Sequence, residues 1–208
     1  MSDLVEFRVQ DFRDVSDGPF DAVSSIGMAE HVGRRSLASY TQVIWDQLRP
    51  GGKFLNHAIG RPLSFDEDPR PSRASEFNRQ MQFALGLRGP SKTGSQFINR
   101  YVFPDGELHE VGTLVSMFQG HGFEVRHLES LREHYALTLR RWVDNLVKRF
   151  DEAVDEVGIQ RARVWRLYMA GSAVAFERHH LEIHQVLSVK PAAGASDMPL
   201  RYDFEPNF

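Results

Sequence analysis

Between residues 20 and 59 the hydrophobic period of the chain changes twice, and this alternation restricts the fold more than any other feature. Phe20-Asp21-Ala22-Val23-Ser24-Ser25-Ile26 is a short, strand-like apolar run. Leu37, Tyr40, Val43, Ile44 and Leu48 then recur at helical spacing. Arg49-Pro50-Gly51-Gly52 is expected to stop that helix, since proline cannot continue it and glycine accepts a left-handed turn, and Lys53 to Ile59 enters another strand. Upstream, Val5-Glu6-Phe7-Arg8-Val9 alternates with period two. Strand, strand, helix, strand is the order of a doubly wound α/β domain.

Periodicity fades from Arg61 to Gln96 into Pro, Arg, Ser and Gly, which reads as a surface excursion or lid with one short helix around Ser75 to Leu85. A turn at Phe103-Pro104-Asp105-Gly106, a helix over Val111 to Phe118 and a strand over Phe123 to Leu128 follow. Leu139, Trp142, Leu146, Phe150 and Val154 form one helical stripe, Gly158 breaks it, and a second helix runs from about Gln160 to Arg178. A last strand is expected over Glu182 to Val189. Residues 1–190 form the domain, and residues 191–208, rich in Pro, Ala and Asp, an extended tail.

The net charge of −3 provides no basic field for nucleic acid. No apolar run approaches the roughly 20 residues that span a bilayer, and the first residues lack a leader pattern, so a cytoplasmic location is expected. Absence of cysteine removes thiolate nucleophiles and Cys-ligated zinc. His179, His180 and His184 have a spacing that invites a metal, but no carboxylate motif accompanies them and the segment passes from helix to strand, so no metal site is assigned.

Four segments, in order, carry a resemblance: Val9-Gln10-Asp11-Phe12-Arg13-Asp14, Ser25-Ile26-Gly27-Met28-Ala29-Glu30-His31-Val32-Gly33, Leu55-Asn56-His57-Ala58-Ile59 and His134-Tyr135-Ala136-Leu137-Thr138-Leu139-Arg140-Arg141-Trp142. Together they resemble cyclopropane-fatty-acyl-phospholipid synthases and mycolic acid cyclopropane synthases, which are S-adenosylmethionine-dependent methyltransferases. The 27 positions between Glu30 and His57 fit that family. Phe97-Ile98-Asn99-Arg100-Tyr101 and Met169-Ala170-Gly171-Ser172 are further similar landmarks. The resemblance implies methyl transfer to the cis double bond of unsaturated phospholipid acyl chains, with peripheral contact at the inner face of the membrane. It further implies a bicarbonate base held by Glu30, His57, Tyr135 and backbone near Ile59, with Asp11, Phe12 and Arg13 at the adenine and backbone near Ser25 and Ile26 at the sulfonium end.

Each residue also has a plainer reading. Glu30 could be a loop carboxylate, His57 a hydrogen-bonded core histidine, Tyr135 a buried tyrosine and Phe12 core packing. The family's Gly-rich loop and the acid that holds the ribose have no counterpart in these residues, and Gly51-Gly52 belongs to a helix stop. The expected fold is therefore a partial Rossmann-like class I methyltransferase domain lacking the first two strands, with extra C-terminal helices. Removing two strands leaves a gap of about 10 Å between Val5–Val9 and Phe20–Ile26. Either these two strands pair directly, or a second copy or a partner chain fills the slot, or the apolar edge drives aggregation, or the start is set too late and the true protein is longer. The alternatives to an active enzyme are accordingly a non-catalytic truncated remnant, or half of a split enzyme that needs a partner for the cofactor loop.

Overall fold

The computed structural model describes residues 4–62 and 96–201. Its elements are β1 (Phe20–Ile26), α1 (Ala29–Val32), α2 (Leu37–Gln47), β2 (Leu48–Gly60), α3 (Gln96–Tyr101), α4 (Val111–Gly120), β3 (Glu124–Ser130), α5 (Arg132–Lys148), α6 (Phe150–Glu177) and β4 (Glu182–Val189). The strands form one sheet in the order β1-β2-β4-β3, with β1 and β2 parallel. Two compact units divide the chain: Met1–His57 with Gly112–Glu129 and Gln185–Phe208, and Ala58–Val111 with Ser130–His184.

In the first unit, aromatic rings form much of the core. Phe54, fully buried on β2, meets Phe118 at 5.1 Å and Phe123 at 5.5 Å, and Trp45 of α2 stands edge-on to Phe123 at 4.9 Å. Such edge-to-face and tilted contacts add to the burial of large apolar surfaces. Lys190 closes the end of α2. Its Nζ donates to the carbonyls of Trp45 (2.8 Å) and Leu48 (2.9 Å) and lies 4.7 Å from the Trp45 ring centre, so a cation satisfies carbonyls at the negative end of the helix.

That contact changes the reading of Arg49-Pro50-Gly51-Gly52. The helix does stop there, but β2 begins at Leu48 and includes all four residues. Gly51 N donates to Lys190 O at 2.7 Å and Lys190 N to Gly52 O at 2.9 Å, so the start of β2 lies beside the end of β4. Pairing to β1 jumps from Phe20↔Leu48 to Ala22↔Lys53, and this irregularity absorbs the extra residues. Gly51 has φ +79°, a conformation that side chains rarely adopt.

Phe20–Ile26 and Glu182–Val189 form the expected strands, but Val5–Val9 does not form one. Phe7 and Val9 are fully exposed, and Arg8 is bound locally, to Glu6 at 2.7 Å and to Asp17. Alternation without a neighbouring ladder leaves these backbone groups to water. The direct pairing of Val5–Val9 with β1 is therefore not observed, and β1 is an edge strand with its outer side open among the described residues.

In the second unit, α5 packs along α6. Ala136, Leu139, Ala173, Phe176 and Ile183 form a buried cluster, with Ile59, Leu131, Tyr135, Met169 and Leu181 packed against it. Arg132 Nη1 donates to Phe176 O at 2.6 Å, and Arg140 makes a two-pronged pair with Glu177 at 2.7 and 2.6 Å. The expected single stripe from Leu139 to Val154 is split, because α5 ends at Lys148 and Arg149 leaves helical geometry (φ −120°, ψ 37°). Arg149 instead precedes α6 and pairs with Glu152, an acid in the helix's first turn. The break expected at Gly158 is present at φ 80°, ψ 153°, inside α6. The short helix expected around Ser75 to Leu85 lies outside the described residues, as does most of the expected lid. Residues 191–201 carry one isolated bridge, Ala192 to Ala195.

Truncating Phe54 to alanine should lower the unfolding free energy by about 3–5 kcal/mol, whereas Phe7→Ala should change it by no more than about 0.5 kcal/mol. Urea denaturation of both variants checks the placement of the core and the exposure of residues 5–9.

Candidate functional site

The parallel ladder between β1 and β2 ends with Ile26 opposite His57, and Gly27 N extends it by donating to His57 O at 2.8 Å. Gly27 then turns at φ +64°, where a side chain would be strained, and the chain enters α1. Glu30 falls in the first turn of that helix and is 6% exposed. Both residues thus sit where open α/β sheets place their ligands, beyond the carboxyl ends of adjacent parallel strands.

Electrostatics couple them. Burial lowers the proton affinity of His57 below the ordinary histidine value of 6.5, and the nearby Glu30 carboxylate partly opposes this. The net direction is down, so the imidazole is neutral at pH 7. Its Nδ1 is buried with no hydrogen-bond partner among the described residues. A buried ring nitrogen left this way is an incomplete site, since buried polar atoms are nearly always satisfied. A small oxygen-bearing anion fits it: a neutral imidazole with its proton on Nδ1 can donate to an oxygen there, and a carboxylate nearby can accept from an acid's OH.

Ile59 and Tyr135 lie in the second unit, packed on the same buried cluster. The Tyr135 ring meets Phe176 at 5.0 Å and Trp142 at 6.1 Å, both edge-on. Apolar surroundings on these sides hold the phenol at the first turns of α5, where its backbone N–H donates to Leu131 O.

The cofactor-side residues are differently engaged. Asp11 caps a 3-10 turn, Phe12–Asp14, by accepting from Arg13 N at 2.9 Å, and it also accepts from the Arg13 guanidinium at 2.9 and 2.7 Å. Arg13 hydrogen bonds pull the carboxyl down to about 2. Asp11 is thus ionised and oriented, while Arg13 lies 5.9 Å from the Phe12 ring centre and Phe12 meets Tyr40 edge-on at 5.8 Å. Ile26 is 62% exposed, whereas Ser25 is buried, its Oγ accepting from Tyr40 OH at 2.7 Å. Asn56 Nδ2 donates to the same phenol at 3.1 Å. Tyr40 and Asn56 were not among the expected site residues. Tyr40 lies on a helical stripe that reads as core, and only the position of Asn56 beside His57 hinted at more. Of the C-terminal histidines, His179 Nε2 meets Glu182 Oε1 at 2.6 Å and His184 is buried, with lowered proton affinity.

Depressed histidines have a definite pH signature. Below about pH 6.5 the unfolded chain binds protons that folded His57 and His184 resist, so stability is full above that value and is lost as pH falls through their folded values. Urea titrations at several pH values should show this decline, and His57→Gln should make it shallower.

Residues 1–186 match the family model described as mycolic acid cyclopropane synthetase. A Mycobacterium tuberculosis protein named "Probable fatty acid methyltransferase" is 44% identical over 207 residues, covering 99% of this chain and 43% of the relative. The Escherichia coli cyclopropane-fatty-acyl-phospholipid synthase is 27% identical over 184 residues, covering 88% and 41%. Among solved structures, the cyclopropane synthase MmaA2 from Mycobacterium tuberculosis superposes with a TM-score of 0.67 at 25% identity, over 84% of this chain and 57% of that one. Mycolic acid cyclopropane synthase CmaA1, solved with SAH and CTAB, gives 0.69 at 24% identity over 86% and 58%, a likeness of fold. This chain spans less than half the length of the curated relatives just described. With the four-stranded sheet and the match over residues 1–186 in agreement, the chain belongs to the mycolic acid cyclopropane synthetase family and has its Rossmann-like methyltransferase fold.

Proposed function

We propose that this chain is part of an S-adenosylmethionine-dependent enzyme that methylates the cis double bond of phospholipid acyl chains, giving a cyclopropane or a methyl-branched product. The observation that carries this reading is the buried Glu30 electrostatically coupled to His57, whose Nδ1 lacks a partner among the described residues, in a member of this family. When bound, the sulfonium cofactor supplies an electrophilic methyl group and bicarbonate supplies a base.

This chain's residues hold and orient. His57 Nδ1 would donate to the base and Glu30 would accept from its OH, and the family resemblance adds the Tyr135 phenol and the Ile59 backbone as further donors. Keeping the imidazole neutral matters, because a protonated His57 would give its proton to the base and leave it unable to accept another. On the cofactor side, Phe12 offers a ring face and the ionised Asp11 an acceptor for the adenine amine.

One surface supports a bilayer partner. From Gly158 to Phe176 helix α6 contains no acidic residue and three arginines, Arg161, Arg163 and Arg166. Ile159, Arg163 and Leu167 recur every four residues, all exposed, and Arg161 and Arg163 make no ion pair among the described residues. Exposed Trp165 adds an amphipathic ring. Arginines interleaved with apolar side chains in a chain of net charge −3 match an anionic phospholipid surface. No helix among the described residues is long and apolar enough to cross a membrane. The open outer edge of β1 supports a companion reading, in which further strands from the same or another polypeptide pair there.

Glu30→Gln in a protein extended to the length of the relatives should lower lipid methylation at least 100-fold with cofactor affinity unchanged; undiminished methylation would remove the base assignment. Arg161→Gln with Arg163→Gln should weaken sedimentation with phosphatidylglycerol vesicles by roughly 30-fold, at about 1 kcal/mol per charge removed, and leave phosphatidylcholine vesicles unaffected.

A further inference from the structure

We propose that Tyr40 is a positioning residue, whose buried hydroxyl ties together the carboxyl ends of β1 and β2 and thereby sets the environment of His57. Three separate segments meet on this one side chain. Its hydroxyl donates to Ser25 Oγ at 2.7 Å and accepts from Asn56 Nδ2 at 3.1 Å, and its ring edge faces Phe12 at 5.8 Å. Tyr40 is fully buried. A position needed only for packing is satisfied by phenylalanine, and enclosing a hydroxyl is favourable only when its bonds are made.

The place of these bonds gives them their consequence. Ser25 and Asn56 are cross-strand partners, and the next rung of the ladder is Ile26 opposite His57, followed by the Gly27 N to His57 O bond. The phenol therefore clamps the last rung before the site, on the two strands that carry it. Asn56 has no second anchor, because its Oδ1 is buried without a hydrogen-bond partner among the described residues. Its amide orientation depends on the bond to Tyr40. Burial pushes the phenol up to about 12, with the Glu30 charge adding to the rise, so Tyr40 stays a neutral donor wherever the protein is folded. Removing the hydroxyl leaves Ser25 Oγ and Asn56 Nδ2 without their bonds, one residue from His57. Successive strand residues face opposite sides of the sheet, so the effect reaches His57 through the backbone: a loosened last rung admits water at the strand ends and lowers the desolvation that holds the imidazole neutral.

The functional meaning of this role rests on the proposed base-holding pair, but its test does not. In the 208-residue chain, the titration of His57 is followed by NMR, assigned with His57→Gln, and His184 serves as the control in the other unit. Tyr40→Phe should raise the His57 midpoint toward the ordinary histidine value by about 0.5 unit or more and leave His184 unmoved. Ser25→Ala, which removes one end of the chain and keeps the ring, should shift His57 in the same direction by less. A folded Tyr40→Phe protein with an unchanged His57 midpoint overturns the proposal and leaves Tyr40 as packing. If Tyr40→Phe does not fold, Ser25→Ala decides by the same criterion. Methylation by Glu30→Gln reports on the base assignment separately, so either idea can fail alone.

Discussion

The parallel register of β1 on β2 is the constraint from which the site follows. Ile26 opposite His57 fixes where two strands end together, and Gly27 then turns the chain so that Glu30 enters α1 beside the histidine. Slipping this pairing by one residue would turn every β2 side chain to the opposite face and carry His57 away from the carboxylate. Register is held from several directions: by the phenol of Tyr40 bridging Ser25 and Asn56, by Phe54 set among Phe118 and Phe123, and by Lys190, which pairs with Gly51 and Gly52 while its ammonium closes α2. Polar atoms do as much of this work as apolar area does.

The two halves of the expected cradle have different physical characters. Glu30 and His57 are polar groups brought near the strand ends and kept from water, with a ring nitrogen still unpartnered. Tyr135 and Ile59 are packed against an apolar cluster, where the Tyr135 ring meets Phe176 edge-on. On the cofactor side, the Asp11–Arg13 pair shows how a short turn fixes a carboxylate before any ligand arrives.

Much of the fold was legible in the order of residues. Phe20–Ile26 and Glu182–Val189 form strands at the expected bounds, and the helical stripe from Leu37 ends where Arg49-Pro50 follows. The expectations that failed share a cause. Val5–Val9 has the alternation of a strand, but alternation describes only which side each residue faces, and a strand exists only where a neighbour accepts its hydrogen bonds. The stripe from Leu139 to Val154 crosses Arg149, whose departure from helical geometry no hydrophobic period records. The span from Arg49 to Gly52 looked like a turn between elements, because its pairing with Lys190 joins residues about 140 positions apart.

By itself, the sequence determined the α/β alternation and the family resemblance, because period and motif order are local properties of the chain. Only the tertiary structure decided that β1 is an edge strand, that Ser25 is held from the side by Tyr40, and that His57 keeps a buried nitrogen without a partner among the described residues. Those are facts of burial and of pairing between distant segments. Such facts depend on which surfaces meet in space, and no single stretch of residues carries that information.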